Sequence, residues 1–333
     1  MRKKIIIHLV VLVTFIQLPA QEMQFTQFYA SPLFLNPAFT GLTYEHRFTA
    51  TYRNQWPGIK RAFTTYMASY DYNISSLKSG IGGFVVQDRA GTSNLVTTQI
   101  GGNFAYSAKI NKTTEFRGGI TLAVTQKKLD NTTLIFNDQL ITGSPSQESR
   151  GIEPTSYADI GTGVLINSKN YWFGVAAKHI NQPNASLTGK ADQILPVYIT
   201  AHGGYRYIIS ALGTSKSKIE EFISASINYR REQKYDQLDI GAYYFKSIIN
   251  VGLWYRGLPF KRYKPGYPTR EGIAVLLGAE IPDKNLRIGY SYDITISRLG
   301  LNNTYGAHEI TLVYEVAKKR KRNRRVLVSC PKF

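Results

Sequence analysis

The sequence predicts an all-β fold: one transmembrane antiparallel β-barrel of about 14 strands, with both termini on the periplasmic side. Three observations carry this expectation. First, residues 44–56 alternate strictly. Tyr44, Phe48, Ala50, Tyr52 and Trp56 fall on one face and Glu45, Arg47, Thr49, Thr51, Arg53 and Gln55 on the other, with His46 and Asn54 the polar intrusions on the first. A long strand with one greasy and one charged face suits a tilted membrane strand of about 9–11 residues plus overhangs. Second, no run beyond residue 20 approaches the roughly 20 apolar residues of a membrane helix. Mean hydropathy is only −0.22, as expected when half of every strand faces a polar lumen. Third, alternating segments recur to the end of the chain. Their connections are mostly short after even-numbered strands (SSLKSG, KINKT, NSKN, PDKN) and long after strands 5, 7 and 11.

Residues 1–20 read as a secretory signal peptide. Arg2, Lys3 and Lys4 form a basic start, Ile5–Leu18 an apolar run, and Ala20 a small residue before the cleavage point. Residues 21–43 then read as a periplasmic leader and residues 44–317 as the barrel. Period-2 alternation, broken at Gly, Pro, Asn and Ser clusters, places the strands. They fall at 44–56, 63–74, 79–88, 94–108, 114–128, 157–167, 171–180, 196–209, 219–230, 236–247, 250–257, 271–281, 285–297 and 307–317. In the second, Tyr66, Ala68, Tyr70, Tyr72 and Ile74 point outward and Thr65, Ser69, Asp71 and Asn73 inward. In the fifth, Phe116, Ile120, Leu122 and Val124 oppose Glu115, Arg117, Thr121 and Thr125. Glycine pairs at 82–83, 101–102, 118–119 and 203–204 lie inside strands. Glycine there permits bends or close approach, so the pairs mark kinks in the wall or room for a plug.

The formal charge of +19 is unevenly spread. Three positives lie in the first 20 residues. Eight more lie in the tail 318–333: Lys318, Lys319, Arg320, Lys321, Arg322, Arg324, Arg325 and Lys332. Removing these eleven leaves +8 on the body. Behind a signal peptide the tail points away from nucleic acid. It reads either as a solvated periplasmic extension or as a docking arm for a protein partner, peptidoglycan or anionic lipid. Cys330 is the sole cysteine, which excludes an intramolecular disulfide.

No nucleophile elbow, HExxH, P-loop or Cys/His metal pattern is present, so the sequence predicts neither an enzyme nor a cofactor. Strand parity instead gathers charges of both signs in the lumen: Glu45, Arg47, Arg53, Asp71, Glu115, Arg117, Arg206, Arg230, Asp239, Glu280, Arg287, Asp293 and Glu309. They form either ion pairs that fill the barrel or the lining of a selective pore, the second more naturally one-signed. His202 faces the lumen by the same parity. Tyr44, Trp56, Tyr171, Trp172, Trp254 and Tyr255 lie toward strand ends and read as interfacial belt residues.

Several segments resemble the PorP/SprF family, outer-membrane proteins of the type IX secretion system. They are QFTQF (Gln24–Phe28), NPAFTG (Asn36–Gly41), YRNQW (Tyr52–Trp56), HINQP (His179–Pro183), LRIGYSYD (Leu286–Asp293), GAHEITLVYE (Gly306–Glu315) and the final CPKF. The resemblance implies a non-catalytic barrel that supports secretion of particular cargo proteins, adhesins with a C-terminal sorting domain, and holds them at the cell surface. In some members it implies a link to gliding motility. It implies outer-membrane lipid and other secretion components, translocon, periplasmic or lipoprotein, as partners. The loops after strands 5, 7 and 11 become candidates for cargo contact, and the leader 21–43 and tail 318–333 for periplasmic partners. The alternative is a passive channel for small solutes.

Overall fold

The computed structural model describes residues 22–316, apart from 92–93, 131–133, 135–136, 145, 147–151, 191–192, 213–218, 234 and 265–266. The signal segment and basic tail lie outside the described residues. Fourteen strands close into one antiparallel barrel, each paired with its chain neighbours and the first with the last. They are β1 (His46–Gln55), β2 (Phe63–Ile74), β3 (Ser79–Ala90), β4 (Leu95–Lys109), β5 (Thr114–Leu129), β6 (Thr155–Ser168), β7 (Tyr171–Lys178), β8 (Tyr198–Leu212), β9 (Ile219–Glu232), β10 (Tyr235–Lys246), β11 (Ile249–Lys264), β12 (Tyr267–Ile281), β13 (Leu286–Thr295) and β14 (Ala307–Val316). The end at which β1 begins and β14 finishes is called the lower end here, and the opposite one the upper end. Among the described residues no helix is long and apolar enough to cross a membrane.

Alternation translates directly into the wall. Phe48, Tyr66, Ile100, Ile120, Leu122 and Val124 face outward and are exposed, while Thr49, Thr51, Thr65, Asn103, Thr125 and Thr311 face inward and are buried. Register is continuous around the closure: Arg53 sits opposite Thr65 on β2 and Glu309 on β14, and Arg47 opposite Asp71 and Glu315.

Three expectations are corrected. The stretch LPFKRYKPGYPT, read as a loop, continues the strands. β11 runs to Lys264 and β12 starts at Tyr267, with register shifts between Arg256 and Lys264. β10 pairs with β11 only as far as Arg256, and β13 with β12 only from Gly272. Beyond those positions β11 and β12 continue to pair with each other, Leu258 with Thr269 and Arg262 with Pro268.

Second, Trp172 and Trp254 are not belt residues. Each points into the lumen and is almost wholly buried. Third, the segment expected as a periplasmic leader turns back into the barrel. Residues 23–43 occupy the lumen as a plug built from a 3-10 turn (Phe28–Ala30), a short helix α1 (Pro32–Leu35) and a second 3-10 turn (Pro37–Phe39). Met23 and Gln24 are half-buried and Phe25 to Thr43 are all buried. The physical reason lies in composition. Phe25, Phe28, Tyr29, Leu33, Phe34, Leu35, Phe39 and Leu42 put too much apolar surface into a short stretch for it to remain in water.

The plug and the inner wall share one core. Phe28, Tyr29, Leu35, Phe39 and Leu42 pack with Leu165, Trp172, Phe222, Tyr243, Trp254, Leu276 and Val313 from the wall. Phe25 and Phe34 pack with Met67, Phe84, Val86 and Ala123. Phe28 meets Trp254 edge-on at 5.1 Å between ring centroids. The large apolar residues at inward positions thus face protein rather than water.

Candidate functional site

The lumen and its plug form the candidate site, and polar contacts fix the plug at three levels. At the upper level the QFTQF segment enters a chain of alternating buried charges. Arg230 pairs with Asp239, and Arg256 Nε lies 3.5 Å from Asp239 Oδ1. Arg256 Nη1 donates to Asp293 Oδ2 at 2.6 Å. Arg53 Nη2 reaches the same oxygen at 2.9 Å, and its Nη1 reaches Glu309 Oε2 at 3.1 Å. The plug completes the network. The backbone amides of Thr26 and Gln27 donate to the two Glu309 oxygens at 2.7 and 2.9 Å. The Thr26 hydroxyl donates to Asp293 Oδ2 at 2.6 Å, and Arg256 Nη2 reaches Gln24 Oε1 at 3.4 Å. Three guanidiniums and three carboxylates alternate, so no charge is left uncompensated at a depth where that would be costly.

At the middle level Asn36 of NPAFTG is the anchor. Its Oδ1 accepts from the Ala38 amide at 2.9 Å, closing the turn after Pro37. Its Nδ2 faces the Val164 and Val175 carbonyls at 3.1 and 3.3 Å and His202 Nε2 at 3.1 Å. Two carbonyl partners identify that nitrogen as the amino group, with His202 Nε2 as its third neighbour. The turn approaches the wall so closely that it needs glycine opposite. A methyl at Gly119 would lie 2.5 Å from Ala38 N and from Pro37 C, and one at Gly163 would overlap Asn36.

At the lower level Arg117 donates to the Ala38 and Thr40 carbonyls at 2.9 and 2.6 Å. Asp71 accepts from the Gly41 amide at 2.7 Å while held by two bonds from Arg47. Arg287 pairs with Glu315 at 3.1 Å, and Thr43 donates to that same carboxylate oxygen.

The start of the plug sits at the upper end. Lys178, the last residue of β7, and His179 just beyond it lie 3.3 and 3.4 Å from Glu22. His179 Nδ1 also lies 3.0 Å from Asp159 Oδ1. Burial by itself would lower the His179 pKa. The hydrogen bonds and charges of Asp159 and Glu22 overcome it and push the imidazole up to about 10. Burial would raise the Glu22 pKa, but Lys178 and His179 hold it down at about 2. The plug therefore runs the length of the lumen, from Glu22 above to Thr43 below.

The predicted lumen charges largely meet around the plug. Arg47, Arg53, Asp71, Arg117, Arg230, Asp239, Arg287, Asp293 and Glu309 all take part. Glu115 instead accepts from Ser107, and Glu45 is half-buried just before β1. Arg206 lies apart near the lower end, bonded to the Lys169 carbonyl and set over the Phe222 ring. The tail residues Lys318 to Arg325 lie outside the described residues. Sequence reasoning missed Arg256, Lys178, His179 and every plug residue. Arg256 shares parity with the inward Trp254, which the sequence had offered as a belt residue. Among the described residues no group of three His, Cys, Asp or Glu side chains is placed to hold a metal ion.

A closed barrel with an apolar outer band and a protein-filled interior defines an outer-membrane β-barrel. The model of the type IX secretion system membrane protein PorP/SprF family matches residues 18–314, and the chain belongs to that family. Outer-membrane barrels of known structure are similar in outline. The outer membrane protein Omp33 of Acinetobacter baumannii shares 10% identity with a TM-score of 0.45, over 83% of this chain and all of that one. The monoaromatic hydrocarbon channel CymD shares 11% at 0.46, over 87% and 94%. The toluene transporter TodX of Pseudomonas putida shares 11% at 0.44, over 85% and 93%. A search of curated proteins gave no significant match.

Proposed function

We propose that this barrel is a dedicated, non-catalytic partner of specific secreted cargo: it supports export of adhesins carrying a C-terminal sorting domain and holds them at the cell surface, with a link to gliding motility. One observation carries the reading beyond family membership: residues 23–43 fill the lumen and are fixed at upper, middle and lower levels. A wall closed around such a plug is suited to serve as a platform rather than a conduit. On this reading cargo meets the upper-end segments after β5 and β7 and the β11–β12 ribbon. The tail, Lys318 to Arg325, docks periplasmic, translocon or lipoprotein components. The plug segment is not free for such partners. Passive passage of solutes is the weaker reading, because the plug would first have to leave.

Comparing surface and secreted proteomes of wild type and a clean deletion tests this. Loss of one or a few sorting-domain proteins, with bulk secretion intact, is the expected result. An unchanged proteome with reduced solute uptake would replace it with the channel reading. Deleting 318–333 without loss of secretion or complex assembly would remove the docking role of the tail.

A further inference from the structure

The connections at the two ends of the barrel differ in charge. At the lower end they are short, at 75–78, 110–113, 169–170, 213–218, 247–248 and 282–285. Their sequence carries Lys78, Lys112, Lys169, Lys216, Lys218 and Lys284 against one acid, Asp283. Lys109 and Lys246 end the strands that lead into two of them. Every lower connection therefore has a lysine in it or at its edge. The upper connections are mostly longer and nearly balanced. Lys60, Arg61, Arg150, Lys190, Lys234 and Arg298 stand there against Asp130, Asp138, Glu148, Glu153 and Asp192. Lys261, Arg262, Lys264 and Arg270 add to the upper positives in one sector, β11 and β12.

Lys78, Lys109, Lys112, Lys169, Lys246 and Lys284 are all exposed. Acids near this rim are engaged elsewhere or half-buried. Glu115 accepts from Ser107, Glu315 pairs with Arg287, and Glu45 and Glu280 are half-buried. Glu221 accepts from Tyr244 and lies 3.9 Å from Lys246, so it offsets that one lysine. Just above the rim the outer wall exposes Tyr106, Phe116, Tyr171, Tyr205, Tyr244 and Tyr314, on six different strands. Such a belt marks the membrane–water interface. The lysines lie just beyond it, where lipid phosphates sit, and a lysine stem is long enough to carry its ammonium to that level. The turns recur every two strands, about 10 Å along the wall at roughly 4.8 Å per strand.

We propose that the lower rim is a collar for anionic phospholipid headgroups in the leaflet at that end. The distribution selects this occupant. A folded protein or a glycan strand meets one sector of a barrel, whereas lipid surrounds it, and these lysines run round the whole circumference. Each lysine near a membrane surface strengthens binding of anionic lipid by about fivefold. Contacts of this kind are between point charges, so they depend on salt.

The test places the full chain in phosphatidylcholine bilayers with trace spin-labelled phosphatidylglycerol or spin-labelled phosphatidylcholine. The motionally restricted fraction gives their relative association with the barrel. Wild type is expected to prefer phosphatidylglycerol by about fivefold, and to lose the preference between 0.1 and 1 M potassium chloride, as the screening length falls from about 10 to about 3 Å. Replacing Lys78, Lys109, Lys112, Lys169, Lys246 and Lys284 together by Gln, with folding checked by heat-dependent gel migration, is expected to bring the ratio near one. A second readout needs no variant. Phosphatidylglycerol with a photoreactive headgroup is expected to label wild type in peptides from all six lower connections. Equal association of the two lipids in wild type, a preference unchanged in the Gln variant, or labelling confined to one sector or to the tail 318–333 overturns the collar. Lysine-dependent sedimentation with isolated peptidoglycan, without a lipid preference, overturns it in favour of a glycan.

Discussion

Gly118 and Gly119 are adjacent on β5 and face opposite ways, which makes them a matched pair for asking whether the plug is held as described. A methyl at Gly118 meets nothing within 4 Å. Gly118→Ala is expected to be neutral or to stabilise by about 0.5–1 kcal/mol, as alanine replaces glycine in a strand. At Gly119 the methyl would sit 2.5 Å from Ala38 N and Pro37 C and 2.6 Å from Pro37 O. All three are backbone atoms, so no rotamer change relieves the contact and the turn must retreat by almost 1 Å to reach ordinary separation. Overpacking of this kind costs about 1–3 kcal/mol. Retreat also breaks the bonds from Arg117 to the Ala38 and Thr40 carbonyls, each worth roughly 1.5–3 kcal/mol because the donor is charged. The total, about 4–9 kcal/mol, shifts the balance toward the displaced plug by about a thousandfold or more relative to wild type. The assay is limited proteolysis of the folded barrel, read as cleavage within residues 22–43, alongside bilayer conductance. Gly119→Ala should be cut there and conduct more, and Gly118→Ala should match wild type. If the two variants behave alike, the account of the plug contact is wrong.

Glu309→Gln should destabilise the barrel by roughly 3–5 kcal/mol in thermal or denaturant unfolding, because it leaves Arg53 buried with an incomplete partner set. Trp254→Ala should cost about 3–5 kcal/mol, since it empties the pocket against Phe28 and Tyr29; a surface-like effect under 1 kcal/mol would contradict its inward placement. The latch at Glu22 should depend on pH at both extremes. His179 has its folded pKa raised to about 10, so its contribution is complete below about 6.5 and fades as pH climbs from there through 10. Glu22 has its folded pKa lowered to about 2, so its contribution is complete above about 4.5 and fades as pH falls through 2. Protease sensitivity near residue 22 should therefore rise in alkali, and His179→Gln should weaken that alkaline limb while leaving the Lys178 bond to Glu22 in place.

Much of the wall was legible in the sequence because strand parity is a local property. β1, β2 and β5 show their two faces residue by residue, and the charges at Arg47, Arg53, Asp71, Arg117 and Asp293 turned inward as alternation required. What alternation does not encode is what those inward groups meet. Trp172 and Trp254 look the same as belt residues until something inside the barrel needs packing. The same holds for the QFTQF segment, whose partners Asp293 and Glu309 lie more than 260 residues away along the chain. The signals were present in two forms: an aromatic-rich stretch too apolar for a soluble leader, and glycine pairs that left room inside. The β11–β12 ribbon was hidden for a different reason. Pro259 and Pro268 read as loop punctuation, yet the ladder between the two strands runs on past them with shifts of register.

The closure between β1 and β14 has a consequence for how the molecule is assembled. The plug is joined directly to β1, and several of its bonds are to β13 and β14, the last strands to be made. Those contacts, such as Thr26 to Glu309 across 283 residues, have no partner until synthesis is complete. Late, long-range contacts of this kind make folding slow. They also set its order. A sheet still open between its first and last strands can receive the plug from the side. A barrel already shut would have to be threaded by it. Pairing β1 with β14 around a plug already in place is therefore the shorter route, and it would enclose the N-terminal segment in the same step.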